Sequence, residues 1–197
     1  MNSTHQLVAK QISRFSAGEL VFPADFRGMG SEDAIKMSLS RHTKEKRLER
    51  LGHGVYLKAG KTAKMPAPEI VATAIARKEQ VRIRPDGLSA LFQLGMTNVR
   101  PDLVYLTDGE PRSIKIGEQR LIFKSTTAKK LSLSDSTSGL LVLALDEIGK
   151  DKVTDEVLAQ ITDKLSTIDK NKWSKDLQLA SGWIYNLLHK LYQQTAI

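Results

Sequence analysis

Between residues 31 and 58 the chain concentrates side chains suited to gripping a polyanion. Lys36, Ser40, Arg41, Lys44 and Arg47, with Thr43 beside them, recur at helical spacing. Residues three or four apart share a face of an α-helix, so these fall on one side. The other side carries Ala34, Ile35, Ser38, Leu39 and His42, a stripe suited to packing on further helices. A helix divided in this way has the chemistry of a reader of the DNA major groove. Arginine makes paired hydrogen bonds to guanine, while Lys and Ser hold phosphates or base edges. The competing reading is a solvated, charged helix face.

The neighbouring elements decide in favour of binding. Leu48 to Leu57 reads as two short strands reversing around Gly52-His53-Gly54, and it sets Arg50, His53 and Lys58 beside the helix. Upstream, Leu7, Val8, Ile12 and Phe15 make one face of a helix over 4–15, which Ser16-Ala-Gly18 stops. Pro23 suits the first turn of a short second helix, and Gly28-Met-Gly30 turns the chain again. Ser31 is a good N-cap, with Glu32 and Asp33 where the helix dipole favours negative charge, so a third helix is expected from there to about Arg47. Three helices followed by a hairpin is the order of a winged helix-turn-helix. The expected DNA-binding set is Lys36, Ser40, Arg41, Thr43, Lys44, Arg47, Arg50 and His53.

Charge points the same way. The chain of 197 residues has a net charge of +8 and a pI near 9.6. Residues 1–64 hold 12 Lys/Arg against 6 Asp/Glu, which is most of the excess. Such an imbalance favours a polyanionic partner.

Composition excludes other classes. Charged residues at 26% and hydrophobic residues at 41% describe a folded protein, not a disordered one. With no cysteine there is no disulfide framework, thiol nucleophile or cysteine zinc site. The histidines, His5, His42, His53 and His189, lack metal-ligand spacing. No phosphate-cradling glycine loop occurs. Pro101-Asp102 followed by a hairpin has the order of a nuclease site, but Glu118-Gln-Arg120 is not the required Glu-x-Lys. Asp146-Glu147 sits at the polar end of an apolar helix, where solvation explains a charge pair. The expectation is a protein without catalysis, metal or cofactor. The longest apolar stretch, residues 139–145, is too short to cross a bilayer, and a cytoplasmic location without membrane contact is expected.

The Gly- and Pro-rich run 59–68 suggests a boundary, dividing a domain at 1–64 from one at 65–197. The second segment predicts a helix over 68–78, a strand at 81–84, a helix over 87–94 and a strand at 102–106. A hairpin of 113–116 with 119–124 follows, then helices at 138–148, 154–168 and 174–194. The class is α+β: a winged helix-turn-helix, then a mixed domain with a small antiparallel sheet and C-terminal helices. Arg82, Arg84, Lys115, Arg120 and Lys124 form a second basic set in this segment. They read either as the polar face of a half-covered sheet or as a further nucleic-acid surface.

Three stretches carry a family resemblance. They are Ser31-Glu-Asp-Ala-Ile-Lys-Met-Ser-Leu-Ser-Arg41, Lys44-Glu-Lys-Arg-Leu-Glu-Arg50 and Gly52-His-Gly-Val-Tyr56. Together they resemble the winged-helix N-terminus of AbiEi-type antitoxins, above all the smaller relatives. Val81-Arg-Ile-Arg-Pro-Asp-Gly87, Val104-Tyr-Leu-Thr-Asp-Gly109 and Ile122-Phe-Lys124 resemble the second half of that family. The resemblance implies the antitoxin of a type IV toxin–antitoxin pair, linked to abortive phage defence. It also implies repression of its own operon through inverted-repeat, double-stranded promoter DNA. A nucleotidyltransferase-like toxin would be encoded alongside. Two residues depart from the family pattern: His42 stands where Leu is usual, and Lys46 where a helix-ending Gly is common. An RNA-binding or nucleotide-handling protein that uses the basic sheet face remains the alternative.

Overall fold

A computed structural model describes residues 3–165, 168 and 170–195. Its first helix, α1 (Thr4–Ile12), starts where Ser3 and Gln6 exchange side-chain-to-backbone hydrogen bonds, a capping box. Leu20–Val21 (β1) leads into a single 3₁₀ turn at Pro23–Phe26. That turn stands where a second helix is expected. Asp25 accepts from the Phe22 amide and closes it. The helix α2 (Glu32–Lys44) begins at Ser31, whose hydroxyl accepts from the Ala34 amide.

Strands β2 (Leu48–Gly52) and β3 (Val55–Lys58) form the expected hairpin, with His53-Gly54 at its tip. Strand β1 adds to the other edge of β3, so the sheet order is β1-β3-β2. Val8 and Ile12 of α1 meet Ile35 and Leu39 of α2 in one core with Val21, Phe26, Leu48 and Tyr56. Each of these apolar side chains is withdrawn from water, and burial of this kind holds the helices to the sheet.

The chain divides into two compact units. One comprises Met1–Val81 with Pro111–Phe123, the other Arg82–Glu110 with Lys124–Ile197. The first therefore also contains α3 (Pro68–Glu79), β6 (Arg112–Ile116) and, as far as Phe123, β7 (Gln119–Ser125), which forms a hairpin with β6. Arg112 pairs with Glu79 at 2.6 Å, joining that hairpin to α3. It also contacts β2 closely. A Cβ built on Gly52 would lie 2.9 Å from Ile114 Cγ1, so only glycine permits this approach without displacing Ile114.

In the second unit, β4 (Ile83–Pro85) pairs antiparallel with β5 (Leu103–Thr107). Asp86 caps α4 (Gly87–Gln93) through the Ser89 amide. After α5 (Ala128–Leu131) comes α6 (Thr137–Ile148), where Leu141 to Leu145 are all buried. An apolar run on every side of a helix belongs at the centre of a bundle. Around it stand α4, α7 (Asp155–Leu165), α8 (Lys170–Leu179) and α9 (Gly182–Thr195). The single last helix expected over 174–194 is thus two, broken at Ala180-Ser181-Gly182. Both halves turn leucines into the core: Leu177 from α8, Leu188 from α9. The fold is α+β with two small sheets. Among the described residues no helix is long and apolar enough to cross a membrane.

Candidate nucleic-acid interface

Helix α2 keeps its two sides apart. Ile35, Ser38, Leu39 and His42 are buried, while Lys36, Ser40, Arg41 and Lys44 are exposed. Met37 joins the exposed side at 59% exposure. With Ser40, Arg41 and Lys44 it completes an i, i+3, i+4, i+7 stripe. Met37 is not conspicuous in the sequence because it is an apolar residue on the polar side of the helix. Arg27, exposed in the loop before α2, lies outside any periodic pattern. Arg27 and Lys36 line one hollow of about 170 Å³ with Pro23, Ala24, Glu32 and Ile35.

Other expected residues sit differently from their sequence reading. Thr43 is half-buried, and its hydroxyl donates to the Leu39 carbonyl at 3.0 Å, inside its own helix. Arg47 lies past the helix, which ends at Lys44 and not near residue 47. Its Nε stands 3.4 Å from a Glu45 carboxylate oxygen. On the hairpin, Arg50 is exposed and folds back to donate to the Gly52 carbonyl at 3.2 Å. His53 is exposed at the tip. Lys36 pairs loosely with Glu32 one turn earlier, at 3.8 Å between two exposed side chains, so little binds it there.

Behind the exposed stripe lies a buried contact between α1 and α2. The rings of His5 and His42 stack 4.4 Å apart with planes 10° from parallel. His5 Nδ1 meets the Ser38 hydroxyl at 3.0 Å, and His42 Nδ1 meets Glu45 at 3.2 Å. His42 is wholly buried and its Nε2 has no hydrogen-bond partner. Burial, then the neighbouring His5, pushes its pKa below the ordinary histidine range, against the pull of Glu45. Ligand atoms of His5, His42 and Glu45 lie within 4.8 Å of one another. The near-parallel rings, however, aim their in-plane lone pairs alongside each other instead of at a shared point. The cluster reads as a helix-to-helix lock that sets the angle of α2.

The second basic set does not stay whole. Arg84 is only 5% exposed and leaves the surface altogether. Its guanidinium donates to the carbonyls of Lys130, Leu133 and Ser134 at 3.0, 2.7 and 3.2 Å, stapling the loop after α5. Asp176 on α8 holds the same loop, accepting from the Ser134 amide and from the hydroxyls of Ser134 and Ser138. Burial pushes the Arg84 pKa below the ordinary arginine value, opposed by Asp135 and Asp176. Arg82 is exposed but clasped by Asp108, which accepts from its backbone amide at 2.7 Å and its Nε at 2.9 Å. That bonding holds the Asp108 carboxyl below its usual range. Lys115, Arg120 and Lys124 remain exposed. Asp146 is ion-paired with Lys130.

The fold and this surface define an α+β protein whose N-terminal unit offers a basic, partly apolar helix face next to a hairpin. The chain belongs to the family of unknown function DUF6088, whose family model matches residues 7–173. No curated protein and no solved structure matches it.

Proposed function

We propose that this protein is a DNA-binding repressor of its own promoter and the antitoxin of a type IV pair. In this reading α1, the 3₁₀ turn and α2 make a helix-turn-helix, with α2 in the major groove. The β2–β3 hairpin is the wing, touching backbone or minor groove with Arg50 and His53. The observation that carries the reading is the exposed stripe Met37, Ser40, Arg41 and Lys44, opposite a fully packed face of the same helix. Arg41 reads a guanine, Met37 packs on a neighbouring thymine methyl, and Lys36, Lys44 and Arg47 hold phosphates. Such a protein acts in the cytoplasm, without catalysis or cofactor, and its binding site repeats with the inverted repeat of its promoter. The burial of Arg84 and the clasp on Arg82 speak against RNA binding through the sheet.

The antitoxin role falls to the remainder of the chain, against a nucleotidyltransferase-like toxin encoded beside it. Co-expression with that toxin tests this. The full chain and an Arg41→Ala/Lys44→Ala variant that no longer binds the promoter are both expected to restore growth. Failure of that variant to rescue would reduce neutralisation to repression and overturn the assignment.

A further inference from the structure

We propose that the β6–β7 hairpin is a second DNA contact, one that grips the phosphates flanking the segment read by α2. This rests on the DNA-binding reading above. The register of the hairpin places Lys115 directly opposite Arg120. Side chains alternate along strands, so one hairpin face carries Ser113 and Lys115 with Arg120 and Ile122. The other face buries Ile114, Ile116, Leu121 and Phe123.

Like charges facing each other across two strands destabilise a sheet. Among the described residues of this unit Lys36 stands beside Glu32, Arg47 beside Glu45 and Lys78 beside Asp25, while Arg41 and Lys44 on the exposed side of α2 have no ion pair. Among the described residues neither Lys115 nor Arg120 has a carboxylate within 4 Å. Glu118, in the turn between them, pairs with neither. A local arrangement that opposes folding marks a surface shaped for another purpose, and two unneutralised cations held at cross-strand distance suit a polyphosphate.

The hairpin's position selects the polyphosphate. It belongs to the same compact unit as α2, and Ile114 seats it against Gly52 of β2, on the strand that carries Arg50. The buried face anchors the hairpin to the wing, and the charged face is left outward. Duplex backbone continuing past the wing meets that requirement. Because Lys and Arg on phosphates carry no base information, the contact adds affinity and salt dependence without changing the preferred sequence.

The test uses the full chain and a Lys115→Thr/Arg120→Thr variant, whose β-branched replacements suit strands. Binding is measured against salt on a short duplex holding only the inverted repeat and on one longer by about a helical turn, ~10 bp, on each side. The wild-type protein is expected to show a log–log salt slope on the long duplex steeper by about 2 than on the short one. The variant is expected to show the same slope on both, with undiminished preference for promoter over random sequence and a melting temperature at or above wild type. A variant that keeps the wild-type slope and affinity on the long duplex overturns the hairpin contact while leaving the α2 reading intact. Loss of binding to single-stranded RNA alone, with duplex binding unchanged, overturns it equally. If the wild-type protein prefers neither promoter duplex to random DNA, the α2 reading fails as well.

Discussion

Arg41 and Lys44 occupy successive turns of the exposed side of α2, and on the proposed reading they do different work. A guanidinium reads a guanine edge with two bonds, whereas an ammonium is a point charge for phosphate. Arg41→Ala should therefore cost about 1–3 kcal/mol on the promoter and flatten base preference. Lys44→Ala should weaken promoter and random duplex equally and shallow the salt slope by about 1. Titrations of both variants on both duplexes check this, and identical behaviour would remove Arg41 from the reading role. His42 gives a prediction in pH. Its folded-state pKa lies below the ordinary value of about 6.5, pushed down by burial and then by the neighbouring His5, with the Glu45 and Arg47 charges also facing it. Above pH 6.5 the ring is neutral folded or unfolded, and its packing contribution is whole. As pH falls below that, the unfolded chain takes up the proton first, so stability declines until the folded-state pKa is passed. Melting temperature should drop from pH 7.5 to pH 5.5, and His42→Leu should flatten that drop. At this scale the outward side of α2 was legible from helical spacing alone, and so was the inward place of His42. The stacking of His42 on His5 was not, because the two side chains stand 37 positions apart in the sequence and only packing brings them together.

Helix α2 ends in a way that spacing could not resolve. Lys46 adopts a left-handed backbone, φ +56°. Its amide donates to the Thr43 carbonyl and the Arg47 amide to that of His42, the paired bonds of a Schellman motif. A side chain in this conformation is strained, and glycine is not. Lys46→Gly should raise stability by about 0.5–1 kcal/mol, read as a shift in denaturant midpoint. A lowered midpoint would mean that the lysine side chain holds something the backbone geometry does not reveal. Other element-level differences have similar local causes. A two-residue strand such as β1 has too few positions to display alternation, and it exists only because β3 offers an edge. A 3₁₀ turn of four residues is too short for periodicity to separate it from a short α-helix. The break between α8 and α9 hides in a leucine stripe that continues across it, since both helices face one core.

For the molecule as a whole, charge and order along the chain were informative, and adjacency in space was not. Residues 31–58, which hold α2 and the hairpin that follows it, carry seven Lys/Arg against four Asp/Glu, half of the basic excess of positions 1–64. Nothing in the sequence indicates that β6 and β7, some sixty residues further on, join the same compact unit. That association depends on Gly52 leaving room for Ile114, a relation between two distant residues. Nor does alternation alone distinguish Arg82 from Arg84. One is held at the surface by Asp108, while the other is drawn inward by three carbonyls of α5 and the loop after it, 46 to 50 positions later. The role proposed for the basic side of α2 and its neighbouring hairpin is recognition of promoter DNA. The most direct test is a mobility-shift or anisotropy titration of the full chain on a duplex spanning the inverted repeat upstream of its own gene, set against random duplex of equal length and repeated over a range of salt. With about five Lys/Arg side chains on phosphates, log affinity should fall with log salt at a slope near −5, with the promoter favoured over random sequence throughout. Equal affinity for promoter and random duplex at every salt concentration would contradict that role.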